Sequence, residues 1–241
     1  MKKSRLLFVI VILMIWTSVA AVRVFAMTTG FSTEPIPEEE IESFLEAKEL
    51  TLITDEPKKE CIQCFSVNED GDIAIGSKIF NRKAVCIYDS NGEFQYGYSF
   101  KDSGSFGVEF HNDVLNIYFV RSDVALAVNP KGEVLDIAKI QDTTENGSYW
   151  RKSVNSSRKK LGDTEYIIRN DIGVLGLFAT SYSQLVIKDV SGTENIIYDV
   201  SAMQRVSIII GIVHVVLLFF VVIIGIICGT IKEIRKQKSG R

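Results

Sequence analysis

Residues 68–100 read NEDGDIAIGSKIFNRKAVCIYDSNGEFQYGYSF, and this stretch decides the fold class. Its apolar residues recur with a period of two. Phe94, Tyr96, Tyr98 and Phe100 share one face of a strand, and Gln95, Gly97 and Ser99 take the other. The run is broken by Asp89-Ser90-Asn91-Gly92, in which a glycine supplies the left-handed backbone that such a hairpin needs.

The same grammar extends outward. From Leu50 onward the period stays at two, and Val124, Leu126 and Val128 repeat it. Asp70, Asp113 and Asp171 each open a stretch of apolar alternation that ends in a Gly-closed turn. The turns are Asp89-Ser90-Asn91-Gly92, Asn129-Pro130-Lys131-Gly132 and Asp189-Val190-Ser191-Gly192, at offsets of 22, 19 and 21 residues from the opening Asp. Three units of about 40 to 60 residues fit the period of propeller blades. The pattern NEDGDIAIGS…AVCIYDSNGEFQYGYSF resembles the blade hairpins of NHL-type and related β-propellers, over about residues 65–200. The whole chain also resembles membrane proteins of Gram-positive bacteria, which implies a cell-membrane location. The expected fold is mainly β: a propeller-like β-meander or sandwich ectodomain flanked by two transmembrane α-helices.

Two apolar runs flank this β region. Leu6 to Ala26 is interrupted only by Arg23, and Val206 to Ile231 carries no charge. About 20 apolar residues cross a bilayer as helix, so both qualify. Lys2, Lys3 and Arg5 precede the first run, and Lys232, Arg235, Lys236, Lys238 and Arg241 follow the second. The positive-inside rule then places both termini in the cytoplasm and the middle outside, a two-pass cell-membrane protein. Val24-Phe25-Ala26 has the look of a signal-peptide cleavage site, but the length of the run favours an uncleaved signal anchor. The expected segments are a cytoplasmic N-terminus (1–5), a first span (6–26), a linker with an amphipathic helix (27–49), an extracytoplasmic β-domain (50–205), a second span (206–231) and a basic cytoplasmic tail (232–241). The helix is expected over 38–48, because Pro37 suits its first position and Glu38, Glu39 and Glu40 suit its positive end.

Charge divides along the same lines. Residues 27–205 carry 29 Asp or Glu against 18 Lys or Arg. An acidic domain argues against nucleic acid as a partner, since phosphate binding needs a basic face. One basic cluster stands out within 141–162, a polar, turn-rich stretch expected to be an exposed loop. Arg151, Lys152, Arg158, Lys159 and Lys160 lie there beside Tyr149 and Trp150, and these seven residues form the candidate interaction surface. Its expected partners are anionic: lipid head groups, a phosphate-rich wall polymer or an acidic protein patch.

Other constellations read as structural. Cys61 and Cys64 form a CxxC without the βαβ context of a redox motif or a second pair for zinc, so buried thiols or a local disulfide are expected. Asp89 to Glu93 is rich in oxygen but too short for an EF-hand loop. Asn146 and Asn155 begin glycosylation sequons. A catalytic triad would need His111, and Glu109 with Asp113 would be the carboxylate pair of a glycosidase; both acids read instead as solubilising charges. No hydrolase or nucleotide motif is present, so neither an enzyme nor a cofactor is expected. The expected function is a membrane-anchored binding, sensing or scaffolding module of the cell envelope. An envelope enzyme acting on wall polymer or lipid is the first alternative. A subunit of a membrane protein complex is the second, and the GxxxG spacing of Gly225 and Gly229 allows a homo-oligomer.

Overall fold

The computed structural model describes residues 27–239. In chain order these form β1 (Thr33–Pro35), α1 (Glu38–Lys48), β2 (Thr51–Ile53), β3 (Ile62–Val67), β4 (Ile73–Ile79), β5 (Arg82–Tyr88) and β6 (Phe94–Phe100). Next come β7 (Phe106–His111), β8 (Val114–Phe119), β9 (Val124–Val128), β10 (Val134–Ile140) and α2 (Thr144–Tyr149), which runs into a π-helical turn at Trp150–Val154. The chain continues through β11 (Arg158–Leu161), β12 (Thr164–Arg169), a 3₁₀ turn (Gly173–Phe178), β13 (Gln184–Lys188), β14 (Glu194–Asp199) and α3 (Ser201–Ser239).

Among the described residues the strands make three antiparallel sheets, each built on a meander of four consecutive strands, to which β2 and β1 add a fifth strand in the first two. The first has the order β2-β6-β5-β4-β3, the second β1-β10-β9-β8-β7, and the third β11-β12-β13-β14. The first sheet in sequence is the middle one in space. Val85 and Ile87 on one face pack with Phe106, Ile117 and Leu126 of the second sheet. Cys86 and Tyr88, on the opposite face, pack with Tyr166, Leu185 and Tyr198 of the third. Covering both faces leaves no water-facing side, so Ala84 to Tyr88 are buried without alternation. Aliphatic side chains buried in this way contribute about 1.5–3 kcal/mol each.

The turns follow one chemistry. In the β5–β6 hairpin, Asp89 N–H donates to the Glu93 carbonyl, and Gly92 N–H donates to that of Asp89. The Asp89 carboxylate accepts from the N–H groups of Asn91 and Glu93. Asn129 and Asp189 repeat this at the β9–β10 and β13–β14 hairpins. Asn68 does the same at β3–β4, a fourth copy that sequence spacing did not separate from the strand beside it. All four copies lie at one end of the sheets.

The opposite end is defined by an isolated bridge between Ile62 and Tyr182, where the first and third sheets meet. The β4–β5 hairpin tip at Phe80, the 3₁₀ turn and the start of α3 lie at that end. The Asp199 carboxylate accepts from Ser201 N–H at the start of α3. Ser201 Oγ bonds Ser183 Oγ, and Gln204 Nε2 donates to the Ser181 carbonyl. The helix is thus stitched to the third sheet before it leaves the domain.

Several expectations are corrected here. Among the described residues the sheets are open and three in number, so the domain is neither a closed propeller nor a two-sheet sandwich. Each meander keeps free edges, because three blades cannot close a ring. Among the described residues one helix is long and apolar enough to cross a membrane, over Ser201–Ile231, with its apolar window entirely unburied. That finding overturns the two-span, signal-anchored topology with both termini cytoplasmic; residues 1–26, which hold the first run, lie outside the described residues. Helix α3 also starts five residues before Val206. The 141–162 stretch is not a loop but α2, the π-helical turn and β11. Asp171 precedes the 3₁₀ turn midway through its unit rather than opening it, as β11 and β12 come first.

The glycine at each turn is set by backbone geometry. Gly132 sits at φ +82°, and a Cβ there would meet Leu52 at an ordinary 3.4 Å. Gly92 sits at φ +84°, but a Cβ there would lie 2.6 Å from Ile197 Cγ2. Gly132→Ala should therefore cost about 1–2 kcal/mol of backbone strain alone, and Gly92→Ala more. Urea unfolding of the detergent-solubilised chain checks the order of the two.

Candidate functional site

The outer face of the second sheet is covered by the segment at residues 27–32 and by α2 with its π-helical turn. Phe31, Tyr118, Ala125 and Val154 form the buried contact, with Tyr149 and Trp150 against it. Gly107 permits the approach, since a Cβ there would lie 2.5 Å from Val154 Cγ1. The Thr143 hydroxyl caps α2 by accepting from Asn146 N–H. Asn146 is itself buried, donating from Nδ2 to the Ser32 and Gln141 carbonyls and accepting Ser32 N–H. It is a structural clasp and not an accessible glycosylation site.

Beneath this cover lies a polar cluster that sequence reading missed. Glu109 Oε1 accepts from Tyr149 Oη at 2.6 Å, and Oε2 accepts from Tyr118 Oη at 2.8 Å. His111 Nε2 lies 3.1 Å from the same Oε2. Thr29 Oγ1 bonds Tyr118 Oη, and Asn116 Nδ2 donates to the Thr28 carbonyl. Burial alone would push the Glu109 carboxyl up. Hydrogen bonds from His111, Tyr149 and Tyr118 outweigh it and hold the group below the usual carboxylate range. A carboxylate with both oxygens occupied by donors is a clamp that fixes its cover, and is poorly placed to take up a proton. Its position between Val108 and Phe110 on an alternating strand is the one signal that could have marked it.

The seven residues of the expected interaction surface therefore divide. Tyr149 and Trp150 pack inward. Lys159 also turns inward, its ammonium 5.8 Å from the Phe65 ring centroid, and burial lowers its pKa against the pull of Glu109. Arg151, Lys152, Arg158 and Lys160 are exposed, and Arg158 pairs with Glu165.

A second group of cations converges at the end where α3 leaves. Lys48, Lys78, Lys83 and Lys101 line a shallow basin of about 720 Å³, with Asp102 in its wall. Lys48 pairs with Asp102, and Lys101 with Glu49. Lys83 donates to Gln63 Oε1, and burial with the neighbouring Lys78 charge lowers its pKa. On the rim stands Phe80, 92% exposed and at φ +52°. A bulky residue in the left-handed region at a hairpin tip is uncommon, and glycine or asparagine would fit there with less strain. Lys83 also lines an adjoining cavity of about 310 Å³ whose far wall is Trp150 and Asn155. Lys83 is the residue that basin and cavity share.

The remaining candidates are structural. Cys61, Cys64 and Cys86 are free thiols, and burial pushes Cys64 and Cys86 up to about 12, where neither is a nucleophile at neutral pH. The Asp89 carboxylate is spent on backbone N–H groups of its own turn. Among the described residues no three His, Cys, Asp or Glu side chains gather as metal ligands. No protein-family model and no curated protein matches the chain.

The clamp carries a pH signature. A carboxyl whose folded pKa lies below its unfolded value, about 4.3, contributes fully above that value. The contribution fades as pH falls through the lower folded value. Glu109→Gln should cost about 1–3 kcal/mol at pH 7, with the gap to the parent narrowing in more acidic buffer. Denaturant titrations at neutral and acidic pH, followed by tryptophan fluorescence, measure both.

Proposed function

We propose that this chain, a globular β-sheet domain attached to a membrane-length apolar helix, is a membrane-anchored binding module that docks phosphate-bearing anionic ligands at the cell envelope. The observation that supports this most is the lysine basin with the exposed Phe80 on its rim, on a domain whose charge is otherwise strongly negative. Convergent cations in a concave site focus anions, and an exposed ring beside them supplies apolar contact. Arg151 and Lys152 add two exposed cations on the segment that Tyr149, through Glu109, holds in place. The basic residues that follow Ile231 favour the cytoplasm for that end of α3, which leaves the domain on the other side.

Short-chain polyphosphate titrated into the chain in neutral-lipid nanodiscs, followed by calorimetry, tests the reading. Binding should weaken with salt. Each exposed cation is worth about two- to fivefold in affinity, so replacing Lys78, Arg151 and Lys152 with Ser should lower it by about tenfold or more. Unfolding midpoints should hardly move. An unchanged affinity in the triple variant, or binding indifferent to salt, would refute the proposal.

A further inference from the structure

The 3₁₀ turn connects β12 to β13 through Ile172-Gly173-Val174-Leu175-Gly176-Leu177-Phe178, without a charge. Ile172 is buried and roots the turn, but Val174, Leu177 and Phe178 are 82%, 87% and 63% exposed. Three large apolar side chains presented together to water are an unfavourable arrangement for a loop that has only to join two strands. The turn contacts α3, and both of its flanks are tied to that helix. Arg205 Nη2 donates to the Asp171 carbonyl, and Gln204 Nε2 donates to the Ser181 carbonyl. Val206, one residue beyond Arg205, begins the charge-free run that ends at Ile231. The turn is therefore fastened beside the helix at the level where the apolar run starts.

We propose that Val174, Leu177 and Phe178 insert into the bilayer interface as a second membrane contact beside α3. The occupant of this apolar face is the lipid layer itself, because the face is continuous with a helix of membrane length. Two contacts on one rigid end fix the tilt of the domain, which a helix alone does not. Arg205, with its stem along α3 and its head held by Asp171, sits where a long cation reaches the head groups. The inference rests on α3 lying in a bilayer and is independent of the anionic ligand.

The test places an environment-sensitive fluorophore at single cysteines in the full chain, in phosphatidylcholine liposomes. The background carries Cys61→Ser and Cys228→Ala; Cys64 and Cys86 are buried. Labelled positions are Leu177→Cys, Val190→Cys and Val213→Cys. Val190 is 80% exposed, but lies in the turn at the far end of β13 and serves as the aqueous reference. Val213 lies within the apolar run of α3 and reports insertion of the helix. The label at 177 should emit blue-shifted light, be quenched by lipids spin-labelled near the head group, and resist aqueous iodide, while that at 190 behaves oppositely. If the label at 213 is protected and that at 177 matches 190, the second contact does not exist. If 213 is itself open to iodide, the membrane reading of α3 fails, and the inference falls with it.

Discussion

A β-sheet with two apolar faces must be covered twice, and the arrangement of this domain follows from that requirement. The middle sheet carries Val85 and Ile87 toward one neighbour and Cys86 and Tyr88 toward the other. Neither neighbouring sheet could be removed without exposing one of those faces to water. Both neighbours are open at their edges, so the stack is held by these two face-to-face cores and not by closure of a ring.

The two ends of the stack have different chemistry. At the far end, Asn68, Asp89, Asn129 and Asp189 use their side chains to hold the N–H groups of their own turns. Asp89 and Asp189, with Asp70, Asp72, Glu93 and Glu133 beside them, put negative charge at these turns. The membrane-helix end carries the lysine basin, Phe80 and the 3₁₀ turn. A domain whose average is acidic thus offers a locally basic and apolar face at the end nearest α3. The proposed ligand site and the proposed lipid contact both sit where the helix holds them close to the bilayer.

The cover over the second sheet shows how a polar group can organise packing. Glu109 joins Tyr118 on its own sheet to Tyr149 on α2, and Tyr118 reaches Thr29 on the entering segment. Three stretches far apart in sequence meet at one carboxylate, whose burial is offset by the donors around it. The consequence for the surface is indirect: Arg151 and Lys152 are displayed because Tyr149 is held.

Local chemistry was legible in the sequence. A period of two gave strands, Asp or Asn with a following Gly gave the hairpin turns, and a charge-free run of 26 residues gave the membrane-length helix. Each depends on neighbours a few residues apart, and so survives without knowledge of the fold. The order of the sheets, with the first meander in the middle, was decided only by tertiary structure, because an apolar face does not specify which other face will cover it. The same holds for the 141–162 stretch, whose polar composition concealed an edge strand and a clasp. Glu109 differs from a solubilising acid through the donors that surround it, among them Tyr149, 40 residues away, and the lysines at 48, 78, 83 and 101 become one basin only when α1 and the β4–β5 hairpin come together. Contacts between distant residues leave no periodic mark on the chain, and it is those contacts that made the site.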